Sequence, residues 1–165
     1  MDFRLWLETT ESLPPPEFID GGMINLYRYS HNPRGDTYRI DPEQTGKGQN
    51  YSRNDYNASQ KKRTFFYLDI DQKERIIGDH LYVVRHPAAK IYNVLRDPHG
   101  FKEEAKKGNN GINVGILNFN MLLDLIHEAE YDGIYYNPGF HVVNMFVPVL
   151  GYSITEEEVR EKRAT

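Results

Sequence analysis

The chain has no cysteine among its 165 residues, which excludes disulfides, thiolate nucleophiles and thiolate metal sites. No apolar run approaches the roughly 20 residues a membrane-spanning helix needs. The first eleven residues carry acids where a secretory leader would carry an apolar stretch. These absences make a cytoplasmic protein with no membrane contact the expectation. An excess of basic charge is also missing. The 20 Lys and Arg against 24 Asp and Glu give a formal charge of -4, so bulk electrostatics offer no case for a nucleic-acid partner. Histidines stand at 31, 80, 86, 99, 127 and 141 with no paired helical spacing and no accompanying carboxylate cluster. No metal is expected from that pattern. There is no nucleophile elbow for Ser-His-Asp chemistry. Gly46-Lys47-Gly48 lacks the spacer and following Ser or Thr of a Walker phosphate loop, and reads on its own as a turn.

Aromatic residues are abundant, with 12 Tyr, 8 Phe and one Trp. Tyrosine packs through its ring while its hydroxyl seeks a polar partner, which suits amphipathic clefts and interfaces. The length fits one domain with a real core. Phe3, Trp6 and Leu7 fall on one helical face, so residues 1–13 are expected to form an N-terminal docking helix. Pro14-Pro15-Pro16 and Gly21-Gly22 mark 14–22 as a linker. The domain proper is expected over 23–152. Thr155 and Glu158 have capping-box spacing ahead of a charged helix or tail over 153–165.

Inside the domain, Ile24, Leu26 and Arg28 alternate with Asn25, Tyr27 and Tyr29 as in a strand. A guanidinium sharing a face with two apolar side chains needs a carboxylate or a phosphate, unless the strand end lets it reach water. A turn-rich loop follows. Arg63–Asp69 and His80–His86 read as strands, and Lys61-Lys62-Arg63 as a solvated or phosphate-touching cluster. Pro87 suits the first position of a helix carrying Ile91, Val94 and Leu95 on one face. Residues 101–115 read as a short charged helix dissolving into a Gly/Asn loop. Asn118 or Asn120 caps a helix from Phe119 to Glu130, with Leu122, Leu123 and Ile126 as its buried stripe. Strands are then expected at 134–137 and 141–149. Strands and helices do not alternate regularly, so the fold class is α+β with a mostly antiparallel or mixed sheet and flanking helices.

The order of the short motifs resembles the ADP-ribosyltransferase family, in particular the small phage and mobile-element type. Leu26-Tyr27-Arg28 comes first, then Gly46-Lys47-Gly48 with Tyr51-Ser52. Tyr131-Asp132-Gly133 follows, and Val142-Val143 with Phe146-Val147-Pro148 closes the series. The resemblance covers about 24–149. It implies a split sheet with NAD in its cleft, and transfer of ADP-ribose to a protein or nucleic-acid acceptor, a protein being the favoured one, or cleavage of NAD. Carried over, the NAD-binding residues are Tyr27, Arg28, Ser30, Lys47, Gly48, Tyr51 and Ser52. The catalytic positions are Arg28 and Tyr51, with Asn144 or His141 where the family keeps a glutamate. An amide or imidazole supplies less electrostatic stabilisation than a carboxylate. A non-catalytic member serving as a binding or inhibitory module is the alternative.

Overall fold

A computed structural model describes residues 22–45, 62–70, 78–108, 114–137 and 142–164. The expected helix 1–13, all of the linker except Gly22, and Lys47, Gly48, Tyr51, Ser52 and His141 lie outside the described residues, as do Lys61 and positions 109–113 of the Gly/Asn loop.

The described chain is α+β. Eight strands form one mixed sheet: β1 Met23–Ser30, β2 Thr37–Ile40, β3 Thr64–Tyr67, β4 His80–Pro87, β5 Ile91–Asn93, β6 Gly133–Asn137, β7 Val142–Met145 and β8 Val149–Ser153. Four helices accompany them: α1 Pro42–Thr45, α2 Phe101–Glu104, α3 Phe119–Glu128 and α4 Glu156–Ala164. The strand order is β2-β8-β4-β1-β3-β7-β6-β5. Every pairing is antiparallel except β5 with β6.

The sheet is bent on itself. β4 and β5 lie five strand steps apart in the order, yet only the 3-10 turn Ala88–Lys90 joins them. Four residue steps reach at most about 14 Å, whereas five strand spacings in a flat sheet span about 24 Å. The chain can make this connection only if β2-β8-β4-β1 and β3-β7-β6-β5 fold towards each other. A bond of 2.8 Å between His86 of β4 and Asp132, just before β6, ties the halves at the same end. The inner face so enclosed is the main core. It takes Ile24, Leu26, Ile40, Val84 and Val149 from one half, and Phe66, Ile91, Tyr135, Val143 and Met145 from the other.

The outer face carries two smaller clusters. Leu122, Leu123 and Ile126 of α3 cover Tyr92 and Ile134, and Val159 of α4 packs with Tyr27, Ile70 and Leu81. Both helices start as their caps dictate. Asn118 Oδ1 accepts the Met121 amide at 3.1 Å. Thr155 Oγ1 accepts the Glu158 amide at 3.1 Å, and the Thr155 amide in turn donates to the Glu158 carboxylate.

Three expectations need correcting. The helix expected after Pro87 is instead the 3-10 turn and β5. Ile91, Tyr92 and Asn93 are buried on both faces and pair in parallel with β6, which suits β-branched and aromatic side chains. The single last strand 141–149 is two strands, with a break at Phe146–Pro148 before β8, where Pro148 has no amide to donate. The loop after β1 also contains an unexpected strand, β2, whose partner β8 lies more than a hundred residues away in sequence.

Candidate functional site at the seam between the halves

β1 and β4 are zipped along their whole length, from Met23 opposite Pro87 to Ser30 opposite His80. On its other edge β1 meets β3 at a single residue pair, Tyr27 with Tyr67. Continuing that register would set Arg28 against Phe66 and Ser30 against Thr64, but no ladder forms there. The two halves part, and Arg28 spans the gap by donating from Nη1 to the Phe65 carbonyl at 3.0 Å.

The partner is a neutral carbonyl, not the carboxylate or phosphate expected from the sequence. Among the described residues Arg28 has no carboxylate in contact and uses one of its five N–H donors. Burial lowers its pKa, while the phenols of Tyr38 and Tyr67 work in the opposite direction. The result, among the described residues, is a desolvated guanidinium with no acid in contact at the end of the β1–β3 ladder, which is electrostatically matched to an anion.

The inner-face neighbours of Arg28 are polar and aromatic. Tyr82, its register partner on β4, is buried, and its hydroxyl accepts the Arg34 amide at 2.7 Å and donates to the Gly35 carbonyl at 3.1 Å. The Tyr38 ring meets the Tyr82 ring edge-on, with centroids 5.4 Å apart. The Arg34 guanidinium sits 5.4 Å from the Tyr38 centroid, in cation–π range. Across the seam, Thr64 is buried with its hydroxyl unpartnered. Ser30 bonds to the Asn32 carbonyl in the loop that follows β1.

Of the described candidates, Arg28 and Ser30 share the inner side of the seam. Tyr27 points to the outer face, buried beside Ile70, Leu81 and Val159. There it lines a cavity of about 410 Å³ together with Asn25, Val83, Arg85, Tyr152 and Ile154. Asn144 also faces outward, opposite Phe65 on one side and Ile134 on the other. Two strand spacings put it about 10 Å from Arg28 at the backbone, with β3 between them. Asn144 is fully buried and neither side-chain atom has a hydrogen-bond partner. Near it Arg63, also buried, lies between the rings of Phe65 and Phe119 at 5.5 and 5.4 Å. Arg63 is neither solvated nor part of a basic patch, and Lys62 pairs with Glu43 instead.

Sequence reasoning passed over Arg34, Tyr38, Tyr82 and Thr64. Tyr38 and Tyr82 come together only because β2 and β4 each pair with β8, an arrangement with no local signature.

No family model matches the chain, and no curated protein or solved structure matches it either.

Proposed function

We propose that the protein is an NAD-binding, ADP-ribosyltransferase-like domain, and that the open end of the seam receives the dinucleotide. The guanidinium of Arg28, desolvated and with no acid in contact among the described residues, carries this reading. Its fork geometry matches phosphate oxygens, and its position on β1 is the one the family resemblance assigns to the residue that holds NAD. Two further motifs of that resemblance fall on element boundaries. Tyr131-Asp132-Gly133 leads into β6, and Val142-Val143 opens β7.

In the reaction the bond between the nicotinamide nitrogen and the ribose anomeric carbon breaks, and nicotinamide leaves with the electron pair. An acceptor nucleophile, or water, then bonds to that carbon and gives up its proton. A carboxylate stabilises the oxocarbenium-like transition state best. Asn144, buried on the outer face with β3 between it and Arg28, is not placed to supply that stabilisation, so the expected turnover is slow.

Incubation with NAD while nicotinamide release is followed tests the proposal, with binding measured by calorimetry in parallel. Arg28→Ala is expected to weaken NAD binding about tenfold or more, the scale of a lost charge-assisted bidentate contact. Wild-type protein that neither binds NAD nor releases nicotinamide at millimolar ligand would sink the reading. The alternative, a non-catalytic binding or inhibitory module on the same fold, is favoured by one observation: β7 bears an amide and no acid. It predicts NAD binding or partner capture without nicotinamide release.

A further inference from the structure

The outer face of the half-sheet β2-β8-β4-β1 is only partly covered. α4 packs on it at one end, setting Val159 against Tyr27, Ile70 and Leu81. Elsewhere on this face three large apolar side chains are open to solvent: Met23 is 46% exposed, Leu150 45% and Tyr152 51%. Strand pairing puts them on one surface. Val83 lies opposite both Tyr27 and Tyr152, and Arg85 opposite Asn25. Continuing the β4–β8 register sets Leu150 beside Arg85, and Met23 shares its face with Asn25 two residues on. The cavity of about 410 Å³ lies on this surface, running from Val159 and Ile154 to the exposed Asn25 and Arg85.

The surface is positively charged. No aspartate or glutamate stands among the outward residues of β1, β4 and β8. Arg85 has no acid in contact among the described residues, whereas Arg39 on β2 bonds Asp41 and Glu156 of α4 is engaged by Tyr29 and Arg160.

We infer that residues 1–13 of this chain cover the surface, setting Phe3, Trp6 and Leu7 against Leu150, Tyr152 and the cavity, and Glu11 against Arg85. The three apolar residues have the spacing of one helical face, and Glu11, four residues beyond Leu7, flanks it. Asp2, Glu8 and Glu11 outnumber the single Arg4 in this segment, which complements the charge of Arg85. The connection has the reach. The chain enters β1 at Met23, on the edge of the surface, where the Gly22 carbonyl accepts the Ala88 amide. Residues 14–22 span about 28 Å when extended, and Met23 to Tyr27 is about 13 Å along the strand. Glycine at 21 and 22 permits the reversal. A tether this short holds the segment at roughly millimolar effective concentration, so a modest apolar contact suffices. The surface lies on the opposite face of the sheet from Arg28, so the inference is independent of the NAD reading.

Trp6 is the only tryptophan, and its fluorescence in the full chain is the test. Wild-type protein is expected to show blue-shifted emission and weaker acrylamide quenching than the urea-unfolded chain. Leu150→Glu, at an exposed position, is expected to lower the ratio of docked to undocked segment about tenfold, the scale of one lost apolar contact. The emission then moves to the red and quenching rises. Arg85→Glu is expected to shift it part of the way, and Glu11→Arg in that background to restore the wild-type spectrum. Far-UV circular dichroism checks that each variant is folded. Met121→Glu, at an exposed apolar position on α3, is the control and is expected to change nothing. A solvent-exposed Trp6 in the wild type would overturn the inference. So would a protected Trp6 that ignores Leu150→Glu and Arg85→Glu or answers to Met121→Glu. A wild-type emission that moves to the red on dilution would give the surface to the segment of a second copy, and overturn docking within one chain.

Discussion

Two residues bear unusual polar burdens, and each makes a measurable prediction. Asn144 buries an amide with no partner on either atom, and an unmet buried polar group costs about 1–3 kcal/mol. Asn144→Leu is therefore expected to raise stability by about 1–2 kcal/mol in urea denaturation. A clear loss of stability would mean that the amide is satisfied within the fold. Asp97 shows the opposite situation. Burial works to raise its pKa, but hydrogen bonds from the Tyr92 hydroxyl at 2.6 Å and from the Lys102 and Glu103 amides hold the carboxyl below its ordinary value. The same pair pushes the Tyr92 phenol up to about 12, burial being the main cause. A depressed carboxyl contributes stability above the unfolded-state pKa and loses it as pH falls through the lower folded value. Asp97→Asn tolerates the backbone φ of 44 at this position and is expected to cost about 1–2 kcal/mol near neutral pH. That deficit is expected to shrink below about pH 4, in a urea series run across the acid range.

At the scale of elements, Gly133 sets how closely β6 approaches β7. A Cβ there would lie 2.5 Å from Met145 Sδ and 2.6 Å from the Asn144 carbonyl oxygen. The sulfur can swing aside, but the backbone oxygen cannot. Gly133→Ala is expected to destabilise the fold by about 1–3 kcal/mol, seen as a lower urea midpoint with unchanged slope. The sequence already marked the Tyr131-Asp132-Gly133 turn, as it marked β1, β3, β4, α3 and the Thr155–Glu158 cap, because each has a local pattern or capping residue. What it concealed were elements defined by distant partners. β2 is a strand because β8 lies beside it, and Ile91–Asn93 are extended because β6 lies beside them. The site followed the same rule. The need for a partner at Arg28 was legible in its alternation with Ile24 and Leu26. Arg34 and Tyr38 were not, since the contacts that bring them to the seam run through Tyr82, more than forty residues further on.

At the scale of the whole molecule, the two halves interleave along the chain. β1, β2, β4 and β8 build one half, and β3, β5, β6 and β7 the other, so the chain crosses between them repeatedly. The inner core draws side chains from both. Neither half closes a core by itself, and the described fold is expected to unfold in a single cooperative step. Coincident transitions by tryptophan-independent far-UV and near-UV circular dichroism check this. Separate midpoints would show that one half stands alone.

The short turn at Ala88–Lys90 also governs how the molecule can move. It lies at the Met23 end of β1, where the Ala88 amide bonds the Gly22 carbonyl, and the His86–Asp132 bond ties the halves at that same end. Arg28 lies about 17 Å further along the strand, at the usual rise per residue, where the halves are joined by the Tyr27–Tyr67 pair and the Arg28 bond to Phe65. A body pinned at one end and joined at the other by one residue pair and one side-chain bond is expected to move as tweezers do. Small changes of angle at the pinned end become the largest displacements at the tips, beside Arg28 and Ser30.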